Sequence, residues 1–403
     1  MQSTKQAGIK GVKRSKIRCK LACKRIFDLR TRTIMIKEIK SVMKITDIKT
    51  HMMRVPLVKP FRISLGVITH AVSCLVEVET DEGITGYGEG SPGPLITGEN
   101  LEGTVETIRV LKEKLIGMDP RDIEGIYTVM NRAVAYAGTA KAAIDIACHD
   151  IIGKSCNMPL YKVLGGLSNE IETDMTVGID TPEAMAEKAR AHVKAGFNVI
   201  KTKVGTDIVS VLARVKAIRE AVGDDVKIRL DANQGWHGKE AVELLSRLNE
   251  YDIELVEQPV PRYDFEGLKY VTAHSCVPVM ADESCWDAKD ALKLVSERAV
   301  DFINIKLMKC GGLYEAKKIV NIAEAAGVEC MLGCMAEESG IAINAAAALG
   351  AALKNITRAD LDASFSLTEL PYEGGFTIRD TRHLILSENP GLGLSHLKEA
   401  MFQ

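Results

Sequence analysis

From Ile171 onward, short runs rich in β-branched residues alternate with longer stretches of helical hydrophobic periodicity. The runs predict strands at 171–179, 199–205, 227–233, 253–259, 278–284, 302–309, 328–334 and 356–362. Amphipathic helices are predicted between them, at 182–195, 209–222, 238–249, 287–297 and 313–326. Such alternation implies parallel strands joined by crossover helices, and eight units in about 200 residues is the size of a closed barrel. The fold class is therefore α/β, a TIM-like β/α barrel over 166–370.

The pattern before the barrel is different. Residues 44–165 read as a strand pair at 45–54 and 71–79, a turn at Asp81-Glu82-Gly83, and helices from Glu102 to Gly165. This is a second, α+β domain, bounded at 43–165. After the barrel, 374–386 reads as strand and hairpin within a segment, 371–403, expected to return to that first domain.

Composition changes this picture only at the N-terminus. The 403 residues are 46% hydrophobic and 26% charged, enough for a large core. The net charge of −2 gives no electrostatic case for nucleic acid or anionic lipid as a partner of the whole molecule. Residues 1–42, however, hold thirteen Lys and Arg against Asp28 and Glu38, a local charge of +11. A targeting segment and a nucleic-acid arm both fit that composition. The reading preferred here is a basic extension, disordered or non-native, with the natural start at an internal methionine, Met35 or Met43. Ten cysteines without a Cys-x-x-Cys pattern describe neither a disulfide framework nor a zinc site, so reduced thiols and a cytoplasmic location are expected. The Ala-rich run from Ile341 to Leu353 is broken by Asn344 and Gly350 and falls short of a membrane span.

Ionisable residues recur at the ends of the predicted strands. Lys203, Asp231, Glu257, Asp282 and Lys306 follow one another at spacings of 28, 26, 25 and 24 residues, about one β/α unit each. In a barrel that beat places all five on the C-terminal rim, where barrel active sites are built. Asp231, Glu257 and Asp282 alone would each pass for a helix cap. In register on three successive strands they form a set of hard oxygen ligands, suited to one Mg²⁺ rather than zinc because no His or Cys joins them. Lys203 and Lys306 end strands two and six, half a turn apart in an eight-strand ring. A carbon acid held between two such amines loses its proton on one face and regains it on the other, which inverts a stereocentre. Lys201 points to the same side as Lys203, and its charge, with Mg²⁺, is expected to lower the neighbouring amine's basicity.

Lys201-Thr202-Lys203, Asp231-Ala232-Asn233, Val256-Glu257-Gln258-Pro259, Ala281-Asp282-Glu283-Ser284 and Asn304-Ile305-Lys306 together resemble the muconate lactonizing subgroup of the enolase superfamily. The resemblance covers 44–394 and includes Lys141–Asp150, Pro159-Leu160 and Pro390-Gly391-Leu392-Gly393, read as packing and capping segments. It implies a modified (β/α)7β barrel with an α+β capping domain, and Lys203 and Lys306 as catalytic acid and base. Asp360-Leu361-Asp362 resembles the Asp-x-Asp signature of dipeptide epimerases, in which the pair holds the substrate's α-ammonium group. Two carboxylates on one strand face attract a cation and would repel a dianion. The implied activity is Mg²⁺-dependent epimerisation at the C-terminal residue of a dipeptide, with a cycloisomerase or o-succinylbenzoate synthase as the rival reading. A homo-oligomer is the expected assembly.

Specificity is read from the mouth loops, 59–68 and Leu95-Ile96-Thr97-Gly98, with Lys201, Thr97 and Met335 as further substrate-binding residues. Gly66 stands where alanyl-glutamate-selective members carry an arginine, which points to an apolar or mixed dipeptide unless Arg62 substitutes. Glu338 in Met335-Ala336-Glu337-Glu338-Ser339 replaces an expected serine, and either favours a basic side chain or faces water. His149 is expected to be a packing residue, Trp236 to pack a loop, Lys309 to point away from the cavity, and Gly311-Gly312 to open a helix without cradling a phosphate.

Overall fold

A computed structural model of the chain describes residues 42–63 and 66–401, with the side chains of 61–66 and Glu399 left out. Apart from Val42, the basic stretch 1–42 lies outside the described residues, as do Cys19 and Cys23. The chain divides at Val42 and Met43, and the fold is that of the second unit.

The capping domain begins with an antiparallel meander of β1 (Ile45–Ile63), β2 (Gly66–Thr80) and β3 (Thr85–Gly90). The hairpin is longer than the predicted strand pair. It runs past Pro56 and Pro60 with a register shift between Pro56 and Phe61, because β1 is an edge strand where a missing N–H costs no ladder bond. Helices α1 (Leu101–Leu115), α2 (Ile123–Ala133), α3 (Gly138–Ser155) and α4 (Leu160–Leu164) follow. Sheet and helix meet closely because β3 alternates glycine. A Cβ at Gly88 would come within 1.9 Å of Ala143 O and one at Gly86 within 2.1 Å of Ala147 O, so only glycine lets α3 lie on the strand. The intervening Glu89 points the other way, where its carboxylate accepts the N–H groups of Ser339 (2.5 Å) and Ala342 (2.9 Å) and caps the buried helix Ile341–Ala352.

The barrel sheet holds eight parallel strands in sequential order: β5 (Met175–Val177), β6 (Val199–Lys203), β7 (Lys227–Asp231), β8 (Ile253–Glu257), β9 (Val279–Ala281), β10 (Phe302–Ile305), β11 (Glu329–Gly333) and β12 (Ile356–Asp360). The predicted strand 171–179 is split. Its first part, β4 (Glu170–Glu172), pairs instead with the hairpin strand His383–Leu386. The break falls at Thr173 and Asp174, whose N–H groups donate to Arg382 O and to Ala359 O at 3.2 Å. That last bond joins the first and last strands where no ladder does, so the barrel is nearly closed. The turn after the hairpin reaches the capping domain, with Leu392 N–H on Asp150 Oδ1 (2.7 Å) and Leu160 N–H on Gly391 O (2.8 Å).

One apolar core fills the barrel and its helix layer, and a second lies between the capping sheet and α1–α3. The Ala-rich helix Ile341–Ala352 is buried along its whole length, the outcome for a helix apolar all round. No helix among the described residues is long and apolar enough to cross a membrane. The eight described cysteines are free thiols. His149 packs with Nδ1 2.9 Å from Asp145 O, and Trp236 donates its indole N–H to Gly205 O. Gly311 and Gly312 do open a helix, and its first N–H groups, those of Leu313 and Tyr314, go to Asp145.

Candidate active site

Register assembles the site. Lys203 lies opposite Asp231 and Asp231 opposite Glu257 in the ladder, so three strand-end residues stand side by side on the C-terminal rim. Asp282 follows β9, Lys306 follows β10, and Asp360 ends β12 with Asp362 two residues on. All but the half-buried Asp362 are buried.

Lysines and carboxylates meet directly. Lys201 Nζ lies 2.6 Å from Asp360 Oδ2, 2.7 Å from Glu257 Oε2 and 3.1 Å from Asp231 Oδ2. Lys203 Nζ reaches Asp231 Oδ2 at 2.5 Å, and Lys306 Nζ reaches Asp282 Oδ2 at 2.8 Å. The two outer amines thus stand at the two ends of the row Asp231, Glu257, Asp282. Lys201 is thus ion-paired with three carboxylates, and its charge still acts to lower Lys306 against the stronger pull of Asp282 and Glu257. Gly333 leaves room for Lys306: a Cβ there would sit 3.0 Å from Lys306 Cε.

The row is electrostatically strained. Burial and the neighbouring Asp231 charge push the Glu257 carboxyl up to about 7, and burial with Asp282 beside it pushes Glu283 up to about 8. For Asp282, burial is outweighed by Lys306 and Lys309, which hold it well below the usual carboxylate range. For Lys306, burial alone would lower it, but Asp282 and Glu257 hold it above the ordinary lysine range. Glu257 Oε2, both Asp282 carboxylate oxygens and Glu283 Oε2 are buried without an aligned hydrogen bond, although lysine nitrogens lie in ion-pair reach of the first three. Carboxylate oxygens buried without an aligned donor on neighbouring strand ends are the chemistry a divalent cation would satisfy.

Among the described residues, the carboxylates whose oxygens all lie within 4.8 Å of one another, close enough to hold a divalent metal, are Asp174, Asp360 and Asp362. Asp360 is held down at about 2, since Lys201 and its hydrogen bond outweigh burial. Burial and the Asp360 charge push Asp362 up to about 6.

Other expected contacts are arranged differently. Lys309 does not point away: it is buried, with Nζ 2.5 Å from Asp282 Oδ1. Thr97 bonds within its own loop, its hydroxyl donating to Gly93 O at 3.1 Å, and that loop abuts Met335, whose Sδ would lie 3.7 Å from a Cβ on Gly93. Arg62 lies on β1, opposite Val67, and its side chain lies outside what is described. A cavity of about 580 Å³ opens beside the mouth, lined by Met52, Arg54, Val67, His70, Leu101 and Glu337, and by none of the rim lysines or carboxylates. Sequence reasoning gave no role to Asp174, Arg229 or Asn304, whose Nδ2 donates to Glu257 Oε1 at 2.8 Å. Asn304 stood two residues before Lys306, on the same strand face, and that was its signal.

Comparison with known proteins decides the family. Residues 45–165 match the mandelate racemase / muconate lactonizing enzyme N-terminal domain, and 184–400 match the enolase C-terminal domain-like family. The chain belongs to the muconate lactonizing subgroup of the enolase superfamily. A relative from Enterococcus faecalis, named a hydrophobic dipeptide epimerase, is 56% identical over 88% of this chain and 100% of its own. The crystal structure of a dipeptide epimerase from Enterococcus faecalis V583, complexed with Mg and L-Leu-L-Tyr, superposes with a TM-score of 0.86 over 88% of this chain and 100% of that one, at 56% identity. An L-Ala-D/L-Glu epimerase from Bacillus subtilis is 42% identical over 87% of this chain and 97% of its own. Glu338, where the resemblance leads one to expect serine, neither faces water nor lines the cavity. It is buried, accepts the Met335 N–H at 2.9 Å, and is pushed up to about 8 by burial, while Glu337 is the residue that faces the cavity.

Proposed function

We propose that the protein is a Mg²⁺-dependent dipeptide epimerase that inverts the α-carbon of the C-terminal residue. The observation that carries this is the placement of two buried amines at opposite ends of one row of carboxylates, with Asp360 and Asp362 beside it. Asp231, Glu257 and Asp282 would hold the ion, because three consecutive strands deliver them and Glu257 Oε2 and both Asp282 carboxylate oxygens lack an aligned donor. When bound, Mg²⁺ supplies the positive charge that stabilises a carboxylate whose α-proton has left.

The chain's own residues do the rest. One of Lys203 and Lys306, as the neutral amine, removes the α-proton from its side of the substrate. The other, as ammonium, returns a proton to the opposite side, and the roles exchange for the other configuration. Asp360 and Asp362 bind the α-ammonium group, Lys201 holds Asp360 and the carboxylate row in place, and the Thr97 and Met335 loops border the side-chain space. The hydrophobic-dipeptide name of the Enterococcus faecalis relative and Gly66 in this chain both support an apolar dipeptide as substrate. A cytoplasmic location, with the free thiols of the described cysteines in its favour, and a homo-oligomeric assembly belong to the same reading.

The test is incubation with a dipeptide panel in D₂O. Deuterium is expected at the α-carbon of the C-terminal residue, with both epimers formed. Ring-opened or dehydrated products from the corresponding substrates, without that exchange, would transfer the protein to the cycloisomerase or synthase reading.

A further inference from the structure

We propose that Asp174 is a positioning residue for the substrate's α-ammonium group, setting the Asp360 and Asp362 carboxylates from behind. This rests on the dipeptide reading above. Asp174 lies where the first and last barrel strands meet. Its N–H donates to Ala359 O at 3.2 Å, and Arg229 Nη1 donates both to Asp174 Oδ2 (2.7 Å) and to Ala359 O (3.4 Å). Asp174 and Arg229 therefore clamp the strand immediately before Asp360. Two residues further, Thr176 donates its N–H to Asp362 Oδ2 at 2.7 Å, and its hydroxyl lies 3.4 Å from Asp360 Oδ1. The start of β5 thus holds both ammonium-binding carboxylates.

The carboxyl of Asp174 also reaches the cluster itself, with an oxygen within 4.8 Å of oxygens of Asp360 and Asp362. Asp174 is 1% exposed, and its Oδ1 accepts no hydrogen bond. A buried carboxyl oxygen left without a partner is costly, and packing alone does not explain it. Arg229, which holds Asp174 Oδ2, is shared with Glu254 at 2.6 Å. An entering ammonium brings three N–H donors to the outer carboxylates, Asp360 and Asp362. Asp362 is half-buried and Asp174 fully buried, so the ammonium meets the outer pair and Asp174 fixes where that pair stands.

The test compares L-Leu-L-Tyr with its des-amino analogue, 4-methylpentanoyl-L-tyrosine, by deuterium exchange at the tyrosine α-carbon in the full-length, Mg²⁺-loaded enzyme. The readout is the ratio of kcat/KM for the two. Asp174→Ala is expected to lower that ratio by at least about tenfold through the KM of the dipeptide, with Mg²⁺ affinity unchanged. Asp174→Asn, which keeps an oxygen for Arg229 and turns an N–H toward the carboxylates, is expected to stay within about threefold of wild type. If the alanine variant does not fold, Asp174→Ser, too short to span Arg229 and the pair, replaces it. An unchanged ratio in the variant, an equal loss with both substrates, an asparagine variant as impaired as alanine, or lost Mg²⁺ binding would each overturn the proposal. Wild-type enzyme that exchanges neither compound nor any other dipeptide overturns the functional reading itself, and this proposal with it.

Discussion

Glu254 and Glu257 stand three residues apart on β8, at opposite ends of the barrel, and their surroundings treat them oppositely. At the base, burial would raise Glu254, but Arg229 at 2.6 Å and Arg358 at 3.3 Å hold it below the usual carboxylate range. Arg358 in turn reaches Glu329 at 2.6 Å. At the rim, burial and Asp231 drive Glu257 up, and its Oε2 has no aligned hydrogen bond. Both ends are dense in charge. The base is matched within the fold and serves stability, whereas the rim is left short of positive charge in a way that a divalent cation corrects. Density of charge does not distinguish a site from a strut; unmet charge does.

The largest effect is expected at the rim amines. Lys306→Ala should reduce epimerisation by about 10³-fold or more, measured as deuterium exchange, because one face of the substrate loses its proton carrier. The ligand row is untouched, so the rise in thermal midpoint on adding Mg²⁺ should persist. Unchanged turnover would remove Lys306 from the mechanism.

A pair of substitutions on β8 tests the contrast itself. Glu254→Gln uncouples Arg229 and Arg358 and should cost about 3 kcal/mol in urea unfolding, with or without EDTA. Glu257→Gln should stay within about 1 kcal/mol of wild type in EDTA, because it relieves repulsion from Asp231 as it weakens the Lys201 contact. It should abolish the stabilisation that Mg²⁺ gives the wild type. If Glu257→Gln were the more damaging in EDTA, the division between strut and site would be wrong.

The rim was legible because its charges keep the period of the β/α unit, a pattern that survives without any tertiary information. The eight strands were legible for the same reason. What the chain hides is non-local. Asp174 falls inside a run that reads as one strand, and the break there is made by Arg382 O and Ala359 O, about two hundred residues away in sequence. Lys309 was expected to continue a strand away from the cavity. The strand ends at Ile305, and the turn of helix Leu307–Cys310 brings the ammonium back onto Asp282. Glu338 had a legible position in the loop after β11 but not a legible direction, which depends on the Met335 N–H and on Glu89 capping the next helix.

Glu338 is an intermediate case between strut and ligand, and it yields the smallest effect. Its carboxyl has one backbone donor and, among the described residues, no ion pair, and burial, with Glu89 and Glu337 nearby, outweighs Lys306 and raises it to about 8 from an ordinary 4.5. A raised acid keeps its proton in the folded protein at a pH where the unfolded chain has lost it. Its contribution to stability is therefore complete below about 4.5 and declines as pH rises toward about 8. The slope is at most about 1.4 kcal/mol per pH unit over that window. Glu338→Gln imitates the protonated acid at every pH, so its urea midpoint should match wild type near pH 5 and exceed it at pH 8. Parallel curves for the two proteins would mean that Glu338 is ionised in the fold and that its partner is another group.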